Sequence, residues 1–268
     1  KGNPAVELMR RVIAAKERTN LERHDFYQYD KYQKITMAIN NITPEELQGS
    51  LFASSPWLLG QVEVSEYNNQ FVLPISVDET ASTHLYRRQP ATTRDLVRGQ
   101  TTRGISKLIQ TGDVFNTMAK DIFCDIDLYD DQVTFLQKRF PSPIGSTAIS
   151  FYHFYIEDTV AVAGDSCIRL QFMPANNQDF GFRGELYVLN DSSLHVRRCV
   201  MQMPHGTGVN FVQSIRFEQE FERLPNGDWA LTTDNMVAEL QLTSLIQRAM
   251  VVRTTRLDNY AFDPIDDR

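Results

Sequence analysis

Apolar and polar positions alternate through most of this chain, most densely between Ser150 and Met203. Four runs of apolar, β-branched and aromatic residues follow one another there, each closed by turn formers, which predicts consecutive strands. The first carries Phe151, His153 and Tyr155 on one face and Tyr152, Phe154 and Ile156 on the other. Rings on both faces predict a strand covered on both sides. Cys167 to Met173, Arg183 to Leu189 and Leu194 to Gln202 complete an antiparallel meander, with Asn190-Asp191-Ser192-Ser193 as a hairpin connection.

Upstream, Asn3 is a suitable N-cap and Pro4 a suitable first residue for a helix over Pro4 to Glu17. Its apolar stripe is Ala5, Leu8, Met9, Val12 and Ile13, so it should lie on a sheet with Arg10, Arg11, Lys16 and Arg18 in solvent. Asp25 to Ile39 reads as a long strand with a bulge near Asp30, and Thr43 to Glu46 as a capping box. Strands are expected over Gln61 to Glu66, Phe71 to Val77, Ser82 to Arg88 and Arg94 to Thr102, with Pro74 at an edge or bend. Helical spacing takes over between Ser106 and Phe123. Strands resume at Cys124 to Tyr129, Val133 to Phe140, Asn210 to Leu224, Trp229 to Asn235, Val237 to Leu245 and Gln247 to Asp258, with Pro225-Asn226-Gly227-Asp228 as the clearest turn. The sum is a mainly β (α+β) fold: one curved antiparallel sheet or half-barrel, with the N-terminal helix and short helices on its concave side. No repeat or linker divides residues 1–268, so a single domain is expected.

A net charge of −7 argues against nucleic acid as a partner. Cys124, Cys167 and Cys199 are too few and too scattered for a disulfide framework or a zinc site, although a Cys167 to Cys199 bridge is conceivable. No apolar run approaches the roughly eighteen residues of a membrane helix, so the chain reads as soluble. The abrupt start at Lys1-Gly2 suggests a piece of something longer.

Candidate chemistry is sparse. Asp125, Asp127, Asp130 and Asp131 could gather oxygen ligands for a metal, with Asp125 and Asp127 on one face of a strand, but no glycine-centred calcium loop accompanies them. His195 and Cys199 stand four apart on a strand, about 13 Å, too far for a nucleophile and its base. His153 reads as half-buried, His205 as a loop residue, and Gly181, Gly184, Gly206 and Gly208 as turn or bulge glycines. No cofactor motif occurs. Sixteen Phe, ten Tyr and eight Met remain to fill a concave face, either as a closed core or around an apolar cavity. The candidate wall of such a cavity is Phe151, Phe154, Ile156, Phe172, Phe180, Phe182 and Tyr187.

The opening NPAVELMRRVIAAKERTN, then DFYQYDKYQKI, FVLPISVDETASTHLYRRQP, IDLYDDQVTFLQKRFPSPI, FYHFYIEDT and VNFVQSIRFEQEF, resembles in order a Gram-negative outer-membrane family of unknown function. In that family a carboxypeptidase regulatory-like domain comes first and a membrane β-barrel last. The resemblance implies a segment on the periplasmic side of the outer membrane, in the cell envelope, with the barrel of its own chain as a partner. It brings no catalytic residues. A second resemblance, over IRLQFMPANNQDFGFRGELYVLNDSSLHVRRC, is to LolA-like lipoprotein carriers, whose unclosed barrels shelter acyl chains. Together these give a non-catalytic binding or interaction domain for a lipid or lipoprotein as the expectation. The alternatives are an envelope-polymer hydrolase using Asp125 to Asp131, or a scaffold that pairs a sheet edge with another envelope protein.

Overall fold

A computed structural model describes residues 2–104, 124–135, 137–203, 211–241 and 248–265. The helices expected between Ser106 and Phe123 fall outside these residues, as do His205, Gly206 and Gly208.

The local signals at the N-terminus act as expected. Asn3 accepts the Ala5 N–H at 2.9 Å and Pro4 opens helix α1 (Pro4–Thr19). The Thr43 hydroxyl and Glu46 carboxylate satisfy each other's backbone N–H in a capping box that starts α2 (Pro44–Leu47). A further short helix, α3, spans Ser50–Ser54.

Strands β1 (Phe26–Ile39), β2 (Glu63–Val64), β3 (Phe71–Arg87) and β4 (Thr92–Gly104) come first. A small separate hairpin, β5 (Gln132–Phe135) with β6 (Lys138–Pro141), replaces the single strand expected over Val133 to Phe140, because Gln137 turns the chain at positive φ. The meander follows as β7 (Tyr152–Val162), β8 (Asp165–Pro174), β9 (Arg183–Leu189) and β10 (Val196–Met203), entered through a helical turn α4 (Ala148–Phe151). β11 (Val212–Arg223), β12 (Trp229–Leu240) and β13 (Ala249–Ala261) close the count. Among the described residues the order is β2-β3-β1-β13-β12-β11-β10-β9-β8-β7, with β4 also on β3, and every pair is antiparallel. The sheet is curved and open.

Register follows the expected irregularities. The β1 to β13 pairing slips between Gln28 and Asp30, and the β1 to β3 pairing slips at Ala38, opposite Pro74, where a missing N–H does no harm. Two expected strands merge into β3 and two into β12, since long-range pairing bridges their polar middles.

One face of the sheet carries the main core, which runs from Ala5, Met9 and Val12 of α1 through Phe154, Phe172, Phe182 and Phe217 to Val251. The other face carries a small cluster of Cys167, Tyr187, Leu189 and Trp229. Cys167 and Cys199 therefore lie on opposite faces, and all three cysteines are free thiols.

β7 corrects the reading of its aromatic run. It ends the sheet, with a neighbour on one side only, so His153 is exposed and Tyr155 and Ile156 keep 48% and 42% of their surface in solvent. Tyr152 and Phe154 alone of those six positions are buried.

Gly184 is likewise no turn glycine. It lies inside β9 between Met201 and Phe172, and a Cβ there would stand 1.8 Å from the Val200 carbonyl oxygen. Gly184→Ala is expected to cost about 2 kcal/mol, because two backbones must part. Urea denaturation would show it as a lower midpoint at unchanged slope.

Candidate functional site

Across three neighbouring strands the inward-facing series changes character at one level. On β11 it runs Ile215, Phe217, Gln219, Phe221; on β12, Ala238, Met236, Asp234; on β13, Val251, Arg253, Thr255, Leu257. Register puts Gln219 opposite Asp234 and Asp234 opposite Thr255, so the polar residues form one row across the sheet. Gln33 of β1 extends it by a 3.3 Å bond to the Thr255 hydroxyl. Beyond this row the main core thins on these strands to Phe221 and the partly buried Leu231.

Cys124 to Tyr129, expected as a strand, form instead with Asp130 an irregular strap over the row. The alternation survives without a ladder: Ile126 and Leu128 are buried while Asp125 and Asp127 are exposed. Side chains from the sheet hold the strap down. Arg253, fully buried, donates from Nη1 to the Cys124 carbonyl at 3.0 Å, with Asp125 Oδ1 at 3.7 Å, and its Nη2 meets Asp234 Oδ2 at 3.4 Å. Gln219 Nε2 donates to the Ile126 carbonyl at 2.8 Å, and Lys31 Nζ donates to Asp125 Oδ2 at 2.9 Å.

The four acids singled out in the sequence take separate positions. Asp125 pairs with Lys31; Asp127 accepts the Tyr129 N–H at 2.8 Å, a local turn bond. Asp131 accepts from Lys16 Nζ at 2.6 Å and from Ser146 N and Oγ at 3.0 and 2.9 Å, and these bonds pull its carboxyl down to about 2. Lys16 is thus turned toward the strap and is not part of the solvated basic face expected for it. Among the described residues no group of three or more His, Cys, Asp and Glu side chains could hold a metal ion.

Between the strap, the C-terminal end of α1 and strands β1, β11, β12 and β13 lies a cleft of about 310 Å³. Its aromatic lining is Tyr27, Tyr29, Tyr129, Phe221, Trp229 and Tyr260. Tyr29 stands 5.0 Å from Tyr260 and 4.8 Å from the His84 ring, and Tyr260 donates its hydroxyl to the Leu231 carbonyl at 2.5 Å. Burial pushes the Tyr129 hydroxyl up to about 12 and raises those of Tyr27, Tyr29 and Tyr260, so all four remain neutral.

Carboxylates line the same cleft: Glu22, Asp125, Asp127, Asp130 and, on its floor, Asp234. Protein crowding pushes Asp127 up to about 6. Its side chain nevertheless stays open to the cleft, so it is the mass of protein on every side, and not a sealed surface, that disfavours its charge. Burial also raises Asp234, with Arg253 pulling the other way.

None of the seven residues expected as an apolar wall lines this cleft. Phe154, Phe172 and Phe182 are fully enclosed core rings, Phe151 and Phe180 pack at its margin, Ile156 is exposed and Tyr187 belongs to the opposite face. His195 lies 6.1 Å from Trp229, and burial holds its pKa down; Cys199 is enclosed, which raises its thiol. The residues that build the cleft floor, Gln219, Asp234 and Thr255, with Arg253 just behind them, escaped the sequence reading. Their signal was a polar side chain at the inward phase of an otherwise apolar alternation, in IRFEQEF, DNMVAEL and VVRTTRL.

Fold and cleft together define a class: an open, curved antiparallel sheet with its main core on one face and a cleft of about 310 Å³ beside that core. The chain belongs to DUF5686, a family of unknown function, whose model matches residues 8–253. No curated protein matches it. Among solved structures it is similar to a DUF1329 family protein from Desulfovibrio piger, at 10% identity and TM-score 0.37, covering 99% of this chain and 96% of that one. It is also similar to a putative outer membrane lipoprotein-sorting protein domain from Vibrio parahaemolyticus, at 10% identity and TM-score 0.34, covering 98% and 94%. A LolA superfamily protein from Nitrosomonas europaea is similar at 8% identity and TM-score 0.30, covering 98% and 95%.

Proposed function

We propose that this is a non-catalytic binding domain of the cell envelope, on the periplasmic side of the outer membrane, that takes the acyl part of a lipid or lipoprotein. The observation that carries the reading is the cleft beside the main core, with Phe221, Leu231 and Leu257 among its walls. Apolar side chains around a preformed cavity gain by covering an apolar chain. The family blocks noted in the sequence support the envelope location. The hydrolase alternative has less to build on, since Asp125 is tied to Lys31 and Asp131 to Lys16 and Ser146.

Native mass spectrometry of protein purified from cells is expected to show a lipid adduct. A fluorescent acyl chain with an uncharged head group is expected to bind, and Leu231→Trp, which fills the cleft, to weaken it at least tenfold. Protein that carries no lipid and takes up no probe would sink the reading.

A further inference from the structure

Two hydrogen-bond acceptors on the floor of the cleft stand without a donor. Asp234 Oδ1 and Gln219 Oε1 are both buried without a partner, in side chains only 4% and 1% exposed, and both residues line the cleft. They face each other across β11 and β12. Gln219 gives one N–H to the Ile126 carbonyl and its side chain also draws the Asp234 carboxyl down, yet its own Oε1 and Asp234 Oδ1 receive no donor. Turning the amide over would serve Asp234 and strand the Ile126 carbonyl against an oxygen instead; either way an acceptor waits for a donor.

The electrostatics say what sort of donor. Glu22, Asp125, Asp127, Asp130 and Asp234 line the cleft against Lys31 alone among lysines and arginines, with Arg253 just behind the floor. The rings of Tyr27, Tyr29 and Tyr260 add negative π faces, which attract organic cations. An anion would meet repulsion here, and a neutral hydroxyl would leave the charge unanswered.

We infer that the cleft recognises a protonated primary amine, whose N–H bonds go to Asp234 Oδ1 and Gln219 Oε1 and whose charge is held by the surrounding carboxylates and tyrosines. This rests on the reading of the cleft as an acyl site, and makes the ligand a cationic or zwitterionic amino-amphiphile. The amine could be a lipid head group or belong to a small free molecule.

Calorimetric titration of the whole chain with dodecylamine, dodecanol and dodecanoate separates head group from tail. Dodecylamine is expected to bind at least tenfold more tightly than dodecanol, and dodecanoate most weakly. The exposed pair Asp127→Asn and Asp130→Asn should cut the ratio of dodecylamine to dodecanol affinity at least fivefold. Gln219→Met, close in size, should do the same from the floor, with circular dichroism confirming that each variant folds. Equal affinity for all three head groups overturns the inference and leaves the acyl reading standing. Binding of ethanolamine or putrescine as tight as that of dodecylamine supports the amine site and overturns the acyl reading. Preference for phosphatidylethanolamine over phosphatidylglycerol vesicles, with no binding of the short amines, assigns the amine to a lipid head group. No binding of any probe overturns both.

Discussion

Asp234→Ala is expected to lower the unfolding free energy by about 3 kcal/mol, the low end for removing one partner of a buried charge pair. Arg253 is completely enclosed, cannot shed its proton, and meets Asp234 at 3.4 Å. Its bonds to the strap, the Cys124 carbonyl at 3.0 Å and Asp125 at 3.7 Å, soften the loss without replacing a buried carboxylate. The strap should loosen as a result, and the half-buried Cys124 should be alkylated faster than in the parent. Asp234→Leu combined with Arg253→Met removes both charges and should recover most of the stability, since desolvation then no longer opposes folding. Guanidinium melts of the three variants decide it. A single variant within about 0.5 kcal/mol of the parent would show that the pair does not hold the strap.

Phe182→Ala should be the most damaging of the ring truncations, at about 4 kcal/mol. The ring is fully enclosed and meets Phe140 at 5.1 Å, Phe217 at 5.5 Å and Phe135 at 5.7 Å, so its removal opens a cavity bounded by rigid rings from three separate strands. Phe182 does not line the cleft, so acyl and amine binding should survive at temperatures where the variant is still folded. Stability lost with binding kept separates a core ring from a ligand wall. Binding lost in step with the ring, in a folded variant, would return Phe182 to the site.

The two experiments mark a division in how far the chain can be read without coordinates. Signals that act within a few residues survived intact: the Asn3 cap, the Thr43 and Glu46 box, the slip beside Asp30, the glycine at positive φ in Pro225 to Asp228. The caps and the turn are set by bonds between near neighbours, which no distant element needs to supply, while the slip beside Asp30 is a local irregularity that only its pairing with β13 makes visible. Alternation along β9 places Leu186 and Val188 opposite Tyr187 and Leu189, a division that the expected wall, with Tyr187 beside Phe182, did not draw. It could not say which face met a second layer.

By itself, then, the sequence determined a meander of antiparallel strands, the helix laid against it and an apolar interior rich in phenylalanine. Tertiary structure alone decided which strand ended the sheet, and so why Tyr155 and Ile156 meet water while Phe154 two places away is sealed. It also decided that Gln219, Asp234 and Thr255 stand in one row, and that a strap with no ladder of its own closes over them. The physical reason is range: phase along a strand is fixed by a period of two residues, whereas strand order and edges are fixed by pairings more than a hundred residues apart.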